Sequence, residues 1–567
     1  MRTTKLRSAV VVLVLFGCGE DPAVEECTRV LPTRFSENTT LEPACYLAQE
    51  NPMFDDGVTL TLVAGTKIIF SPEVGLTINE GHALSARGSA AEPIILTALN
   101  AQGWAGLVFS TSNSPNNLLE WVIVERVNNA KLTSEVAGIA LTSDSRPVSV
   151  AIRHTTVREN QGYGLWLTAS SELPGFSDNT FSNNTLGPIN ADSDTVGLLE
   201  RSSSYVDNGV EAVTVRASRI TRGPTRWSYL GVPYVVGGSI HVDVPWTIEP
   251  GVTLKMAPEA ELIFAGPEPA LMAIGTELLP ITFTGQTNRR GAWGGLVFTN
   301  ADNPDNRLEQ VIVEYAGQGA IEANVLLDST GEPVRLALSH VTLRESAAYG
   351  LSMSAEAVLT ELTALTVTAN TLGPVVGNSE VVHQLTAAGR YTGNDVDRIE
   401  VRANRVPGTT WHALGVPYAI DGNVHVDQVW TVEPGVTLLM AKDSSLWVAG
   451  DESGLRAIGT AALPITITSV DPTAGHWGAV SFDTSLNGNN QLDYVSLEYG
   501  GSIESGEGAC FVAKSDSHGV TVTMTHGAVR HSATVGAFIG SYATVNGDLE
   551  SSNEWEDNAG GDVVREP

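Results

Sequence analysis

The chain is 567 residues long, 42% hydrophobic and 17% charged, with 64 acidic residues against 32 basic ones and a formal charge of -32. A surface this acidic is not drawn to the phosphate backbone of nucleic acids and is repelled by anionic lipid head groups. That excludes both as partners held by charge. An acid excess of this kind serves solubility and resists self-association, so a monomer is expected.

The N-terminus reads as an export signal. Arg2, Lys5 and Arg7 form a positive start, and Ala9 to Phe16 form a short apolar core. The core is too short to cross a bilayer as a stable helix. It runs into Leu15-Phe16-Gly17-Cys18, which resembles the bacterial lipoprotein signal. The resemblance implies that residues 1–17 are a signal peptide and that the Cys18 sulfur carries lipid, palmitate included. Gly19 rather than Asp after that cysteine implies sorting to the outer membrane of a Gram-negative cell. No later apolar stretch reaches transmembrane length, so the rest is expected outside the cytoplasm, tied to the membrane by its anchor.

In that oxidising setting Cys27 and Cys45, which flank a polar segment, are expected to pair. Cys510 sits in the apolar run Ala509-Cys510-Phe511-Val512 and is expected to be a buried free thiol. Residues 18–57 hold the cysteine pair, Pro32, Pro43 and Pro52, and show little periodicity. They are expected to form a lipidated tether and an N-terminal cap.

From Val58 the texture changes. Runs of five to seven residues alternate apolar and polar, and Gly, Asn, Asp or Pro punctuate them. That is the signature of short strands. The text also repeats: Trp104-Ala105-Gly106-Leu107-Val108-Phe109 returns as Trp293-Gly294-Gly295-Leu296-Val297-Phe298 and as Trp477-Gly478-Ala479-Val480-Ser481-Phe482. His154, His340 and His526 lie 186 residues apart, each followed four residues later by Arg158, Arg344 or Arg530. Three modules result, at 58–235, 236–420 and 421–567, the last cut short. Self-similarity at fixed period in strand-rich text means a solenoid.

The runs "TIEPGVTLKMAPEAELIFAG", "AIGTELLPITFT", "AWGGLVF" and "LEQVIVEYAG" of the second module resemble the right-handed parallel β-helix repeat proteins of bacterial surfaces. The resemblance implies an all-β rod from Val58 to the end. About twenty coils at the strand spacing would make it on the order of 100 Å long. Val252, Leu254, Leu262, Ile263 and Phe264 are expected to fill its interior, and Gly251 and Gly435 to take turn positions that suit residues without a Cβ. The fold hosts lyases, hydrolases, adhesins and passive stalks alike, so function has to come from a site.

Four candidate sites stand out. A His with an Arg, as in His154/Arg158, His340/Arg344 and His526/Arg530, could act on an anionic polysaccharide; threefold repetition points to a turn or surface role instead. His241/Asp243 and His425/Asp427 lie two apart on one strand face and could contribute to a metal site, or simply form surface pairs. Asn113 to Asn117, Asn300 to Asn306 and Asp483 to Asn490 are oxygen-rich loops of the kind calcium prefers, followed by Glu120/Glu125, Glu309/Glu314 and Asp493/Glu498. Asn and Asp are equally ordinary turn formers. Trp104, Trp293 and Trp477 beside glycine, with Trp227 and Trp411, offer either sugar platforms or corner packing, and packing is favoured for the first three.

No unrepeated cluster of carboxylates, phosphate loop, nucleophile elbow or zinc-protease motif is present. The expected function is a lipid-anchored, non-catalytic rod serving interaction, adhesion or spacing, meeting a polysaccharide or a surface protein. No catalytic or metal-ligating residue and no cofactor are assigned. The alternatives are a β-helical polysaccharide lyase or glycoside hydrolase, and a calcium-stabilised carbohydrate-binding module.

Overall fold

The computed structural model describes residues 27–567 apart from 144, 505–507 and 516–517. The regular secondary structure is almost entirely strand, 46% of the chain against 2% helix, and the ladders are parallel. Each strand finds its partner one three-strand cycle further on. Lys67–Phe70 pairs with Ile94–Ala98, then Val122–Glu125, Thr156–Arg158 and Thr180–Ser182. A second sheet takes Leu76–Ile78, Leu107–Ser110, Ala137–Thr142, Tyr163–Leu167 and Gly187–Asp192. A third takes Thr59–Val63, Ala83–Arg87, Leu118–Glu120 and Ala151–Arg153.

Register explains the alternating text. Ile68, Leu96, Val124, Val157 and Phe181 stack as one column, all fully buried. Residues on either side of each column face outward, because strand side chains alternate. Ile263, expected inside with its neighbours, is an exception to that expectation. It lies between buried Leu262 and Phe264 and faces partly outward, because three consecutive strand residues cannot share one face. A single apolar cluster runs through the stack from Leu31 to Leu549.

The corners between strands are single residues with left-handed backbone. Trp121, His154, Gln310, His340, Tyr494 and His526 all have φ between 47° and 53°. Beneath three of these corners lies a glycine forced by contact: a Cβ on Gly88, Gly275 or Gly459 would come within 2.5, 2.5 or 2.8 Å of the carbonyl oxygen of residue 121, 310 or 494. Buried asparagines brace other corners. The Asn160 amide donates to Asn184 Oδ1 at 2.7 Å, and Asn184 donates to Asn208 Oδ1 at 3.0 Å. Asn370 donates likewise to Asn394 Oδ1 at 2.9 Å.

The N-terminal segment differs from expectation. Arg29–Val30 already pairs with Cys45–Ala48, which pairs with Lys67–Phe70. Arg34–Phe35 pairs with Met53–Phe54, and Thr39–Leu41 with Thr59–Val63. Parallel stacking therefore begins upstream of Val58, at Arg29. Strands of two to four residues are too short to display a period. Cys27 and Cys45 are bonded, with their Cα atoms 4.9 Å apart. Residues 1–17 and Cys18 lie outside the described residues.

The modules do not stack face on face. After Gly187–Asp192 comes a 3-10 turn at Val196–Leu198, and then Val213–Arg216 joins the same sheet. Tyr234–Val236 and Thr253–Met256 follow. By sequence, Thr253–Met256 is the counterpart of Lys67–Phe70, yet it continues the sheet of Leu76–Ile78. Equivalent strands thus move on by one sheet at the junction. The same shift recurs where Gly373–Asn378 leads to Ile399–Arg402, Tyr418–Asp421 and Thr437–Met440. Repeated residues consequently lie on different sheets in successive modules rather than along one stripe.

Candidate functional site

The repeated polar residues are occupied in joining one cycle to the next. The indole N–H of Trp104 donates to the carbonyl of Glu125 at 2.8 Å, that of Trp293 to Glu314 at 2.8 Å, and that of Trp477 to Glu498 at 2.7 Å. The Glu125 carboxylate, nearly buried, takes Thr97 Oγ1 at 3.0 Å and Arg158 at 2.8 Å. Glu314 takes Thr284 Oγ1 at 3.1 Å and Arg344 at 2.6 Å. In the third module Arg530 turns instead to Glu554 and Glu556, at 2.6 and 3.2 Å. The histidines stay at the corners, away from these pairs. His154 stacks on Trp121 at 4.5 Å, and His526 stacks on Tyr494 at 4.8 Å while its Nδ1 meets Asp493 at 2.8 Å. The arginine of each marker is a strut and the histidine a surface ring, so the two do not form an acid–base pair.

Asp243 and Asp427 are held bidentately by Arg219 and Arg405 from the preceding cycle. His241 is exposed and His425 packs edge-on against Trp447 at 4.8 Å. In the oxygen-rich loops Asn117, Asn306 and Asn490 are buried. Their Oδ1 atoms accept the amides of Leu84, Leu271 and Leu455 at 3.1, 3.0 and 3.3 Å, and their amides donate to carbonyls of Ser112, Ala301 and Ser485. The turn-forming role accounts for these asparagines. Among the described residues no group of three His, Cys, Asp or Glu could hold a metal ion. Trp104, Trp293, Trp477, Trp227 and Trp411 are fully buried and present no platform. Trp227 and Trp411 lie edge-on to Trp246 and Trp430, at 4.7 and 4.9 Å. Cys510 is buried and unpaired, and burial pushes its thiol up to about 12.

What remains is a groove at the second junction, over Tyr349–Met353, Gly373–Asn378, Ile399–Arg402 and Tyr418–Asp421. Its cavity of about 380 Å³ is floored by Val376 and walled by Tyr349, Leu372, Glu400 and Arg402. A second hollow of about 290 Å³ adjoins it, sharing Glu400 and Asp421 and reaching Lys442 and His476. Arg402 holds Glu322 at 2.9 Å, and Arg398 holds Glu400 at 2.5 Å. Burial, then Glu400 and Glu322, push the Tyr349 phenol above its ordinary value, against the pull of Arg402 and Arg398. Glu322, Glu400 and Arg402 line the cavity with Tyr349, and Arg398 lines the adjoining hollow.

The groove exists because the second module departs from the first. Tyr163-Gly164-Leu165-Trp166-Leu167 becomes Tyr349-Gly350-Leu351-Ser352-Met353. At the first junction the Arg216 guanidinium lies 4.2 Å over the Trp166 ring and bonds to Asn190 and the Leu167 carbonyl. Leu132, Tyr163 and Trp166 pack there on Val108, Ala137 and Ala140. At the second, Ser352 is buried between Leu326 and Val376, which stand where the first junction has Ala140 and Asn190, and the loop 317–322 is three residues shorter than its counterpart 128–136, which carries Leu132. Glu322 replaces Val136, and Glu400 replaces Thr214.

The sequence reading missed this site. The signal was present in the differences between modules, while attention to likeness selects struts. No protein-family model matches the chain, and no curated protein matches it either.

Proposed function

We propose that the parallel ladders wind into a right-handed β-helix of three tandem modules, the last cut short. In this reading the rod is held by lipid on Cys18 at the outer membrane of a Gram-negative cell. It acts as a non-catalytic interaction or adhesion surface, with the second-junction groove as its contact point. One observation carries the reading: the conspicuous repeated polar residues are engaged in joining cycles, and the groove is the unrepeated cluster. Two measurements test it. Cys18→Ser should leave the membrane fraction and lose acyl label while staying folded. The purified chain should bind, without depolymerising, some member of a polysaccharide panel tried with and without calcium.

A second reading, a β-helical glycoside hydrolase or lyase, draws on Glu322 and Glu400 flanking Tyr349. New reducing ends or unsaturated products that vanish in Glu400→Gln would establish it and displace the first.

A further inference from the structure

We propose that the second-junction groove binds a neutral saccharide, one or two rings deep, with the Tyr349 ring as platform and the Arg402–Glu322 and Arg398–Glu400 pairs as its hydrogen-bonding walls. The inference rests on the reading of the rod as an interaction surface and gives that surface a ligand class.

Size comes first. The cavity of about 380 Å³ falls within the usual small-molecule range of about 300–1,000 Å³. It is open along the sheet toward the second hollow, so a chain could run through rather than end there.

Chemistry narrows the class. A sugar ring presents an apolar face and a rim of hydroxyls, each both donor and acceptor. Tyr349 and Leu372 supply the apolar contact, over a floor of Val376. Each guanidinium carries five N–H donors and each carboxylate about four acceptor sites, so an ion pair made through one contact retains both kinds of capacity. Neighbouring hydroxyls can accept from the arginine and donate to the carboxylate without breaking the pair.

Charge excludes the competitors. An anionic polymer meets a chain of net charge -32 and, in the groove, Glu322, Glu400 and Asp421. A cationic ligand must displace arginines already bonded to two of those carboxylates. A neutral ligand incurs neither cost. The wall is also specific to this place, since Val136, Thr214 and Gly237 stand at the first-junction counterparts of Glu322, Glu400 and Asp421.

The test is calorimetric titration of the full chain with neutral tetrasaccharides of glucose, mannose, galactose and N-acetylglucosamine. Polygalacturonate and oligolysine serve as charged probes. At least one neutral tetrasaccharide should bind, and Tyr349→Ala and Arg402→Ala should each weaken it at least tenfold. Arg402→Ala, which removes an exposed side chain, keeps the test decisive should loss of the Tyr349 ring disturb folding. Absence of binding by all neutral probes, or tighter binding of either charged probe, overturns the inference. Neutral binding indifferent to both variants overturns the groove assignment but leaves the rod an interaction surface. Hydrolysis of a bound tetrasaccharide overturns the non-catalytic reading and leaves the saccharide inference standing.

Discussion

At the first junction Trp166 lies under Arg216, and Leu132 packs the same outer face. At the second, Ser352 takes the place of the indole, the covering loop is shorter, and Arg402 reaches across to Glu322 instead. The backbone does not differ in kind: Tyr163 pairs with Gly187 as Tyr349 pairs with Gly373, and Asn190 with Thr214 as Val376 with Glu400. Filling and opening are therefore decisions made by outward side chains, which the stack tolerates because its interior columns stay apolar. Duplication supplies two copies of one architecture, and a few substitutions on the outside convert one copy into a recess.

The largest expected change tests what the two junctions share. Each encloses a tyrosine pair, Tyr205 with Tyr234 and Tyr391 with Tyr418, fully buried. Burial pushes all four phenols up, Tyr391 to about 12, and it pushes Cys510 to about 12. The native state holds these protons more tightly than the unfolded chain does. Their contribution is thus complete below the unfolded values, about 9 for the thiol and 10 for the phenols, and is lost as pH rises through the folded ones. The urea midpoint should be flat from pH 7 to 9 and fall steeply above about pH 10. A midpoint level to pH 12 would contradict the buried protonated rings.

Next in size are the struts. Arg158→Ala and Arg344→Ala each leave a nearly buried glutamate without its cation. Removing one partner of a fully buried pair costs about 3–5 kcal/mol. These arginines are partly exposed, so about 2 kcal/mol each is expected by denaturant unfolding. The two losses should be alike, because the unit is the same in both modules. A loss in only one would show that the modules are not mechanically equivalent. Removing the Cys27–Cys45 bridge with Cys27→Ser should cost a similar amount, about 3 kcal/mol for a closed loop of this length, confined to the first cycles.

Smaller effects separate the junctions. Trp166→Ser should open the first face at a cost of about 2 kcal/mol, since a half-buried indole loses its contacts with Val108 and Ala140. Ser352→Trp should cost about 1–3 kcal/mol, because Ser352 is buried between its ladder neighbours and an indole overpacks the site. A Ser352→Trp protein as stable as the parent would show that the second face has room the first lacks.

Much of the fold was legible in the sequence for a physical reason. Parallel stacking repeats the same side chain at the same height in every cycle, so Ile68, Leu96 and Val124 declare the interior by recurrence alone. The corner histidines and the Trp–Glu–Arg unit declared themselves the same way, though their partners did not, because Glu125 and Arg158 meet only when two cycles are stacked. Three things were hidden. The strands from Arg29 to Phe54 are too short to carry a pattern. The shift of one sheet at each junction depends on the path through residues 193–212, which has no periodicity to read. The groove joins residues from Glu322 to Asp421 through that same stacking, and its sign in the sequence was a pair of departures, Val136 to Glu322 and Thr214 to Glu400, rather than a motif.

The most direct test of the contrast between junctions is hydrogen–deuterium exchange of the full chain with and without a saturating neutral tetrasaccharide. Slowed exchange should appear in 317–322, 349–353 and 398–402, while 128–136, 163–167 and 212–216 remain unchanged. Protection of both sets, or of the first junction alone, would contradict the claim that the second module was opened for binding while the first was left filled.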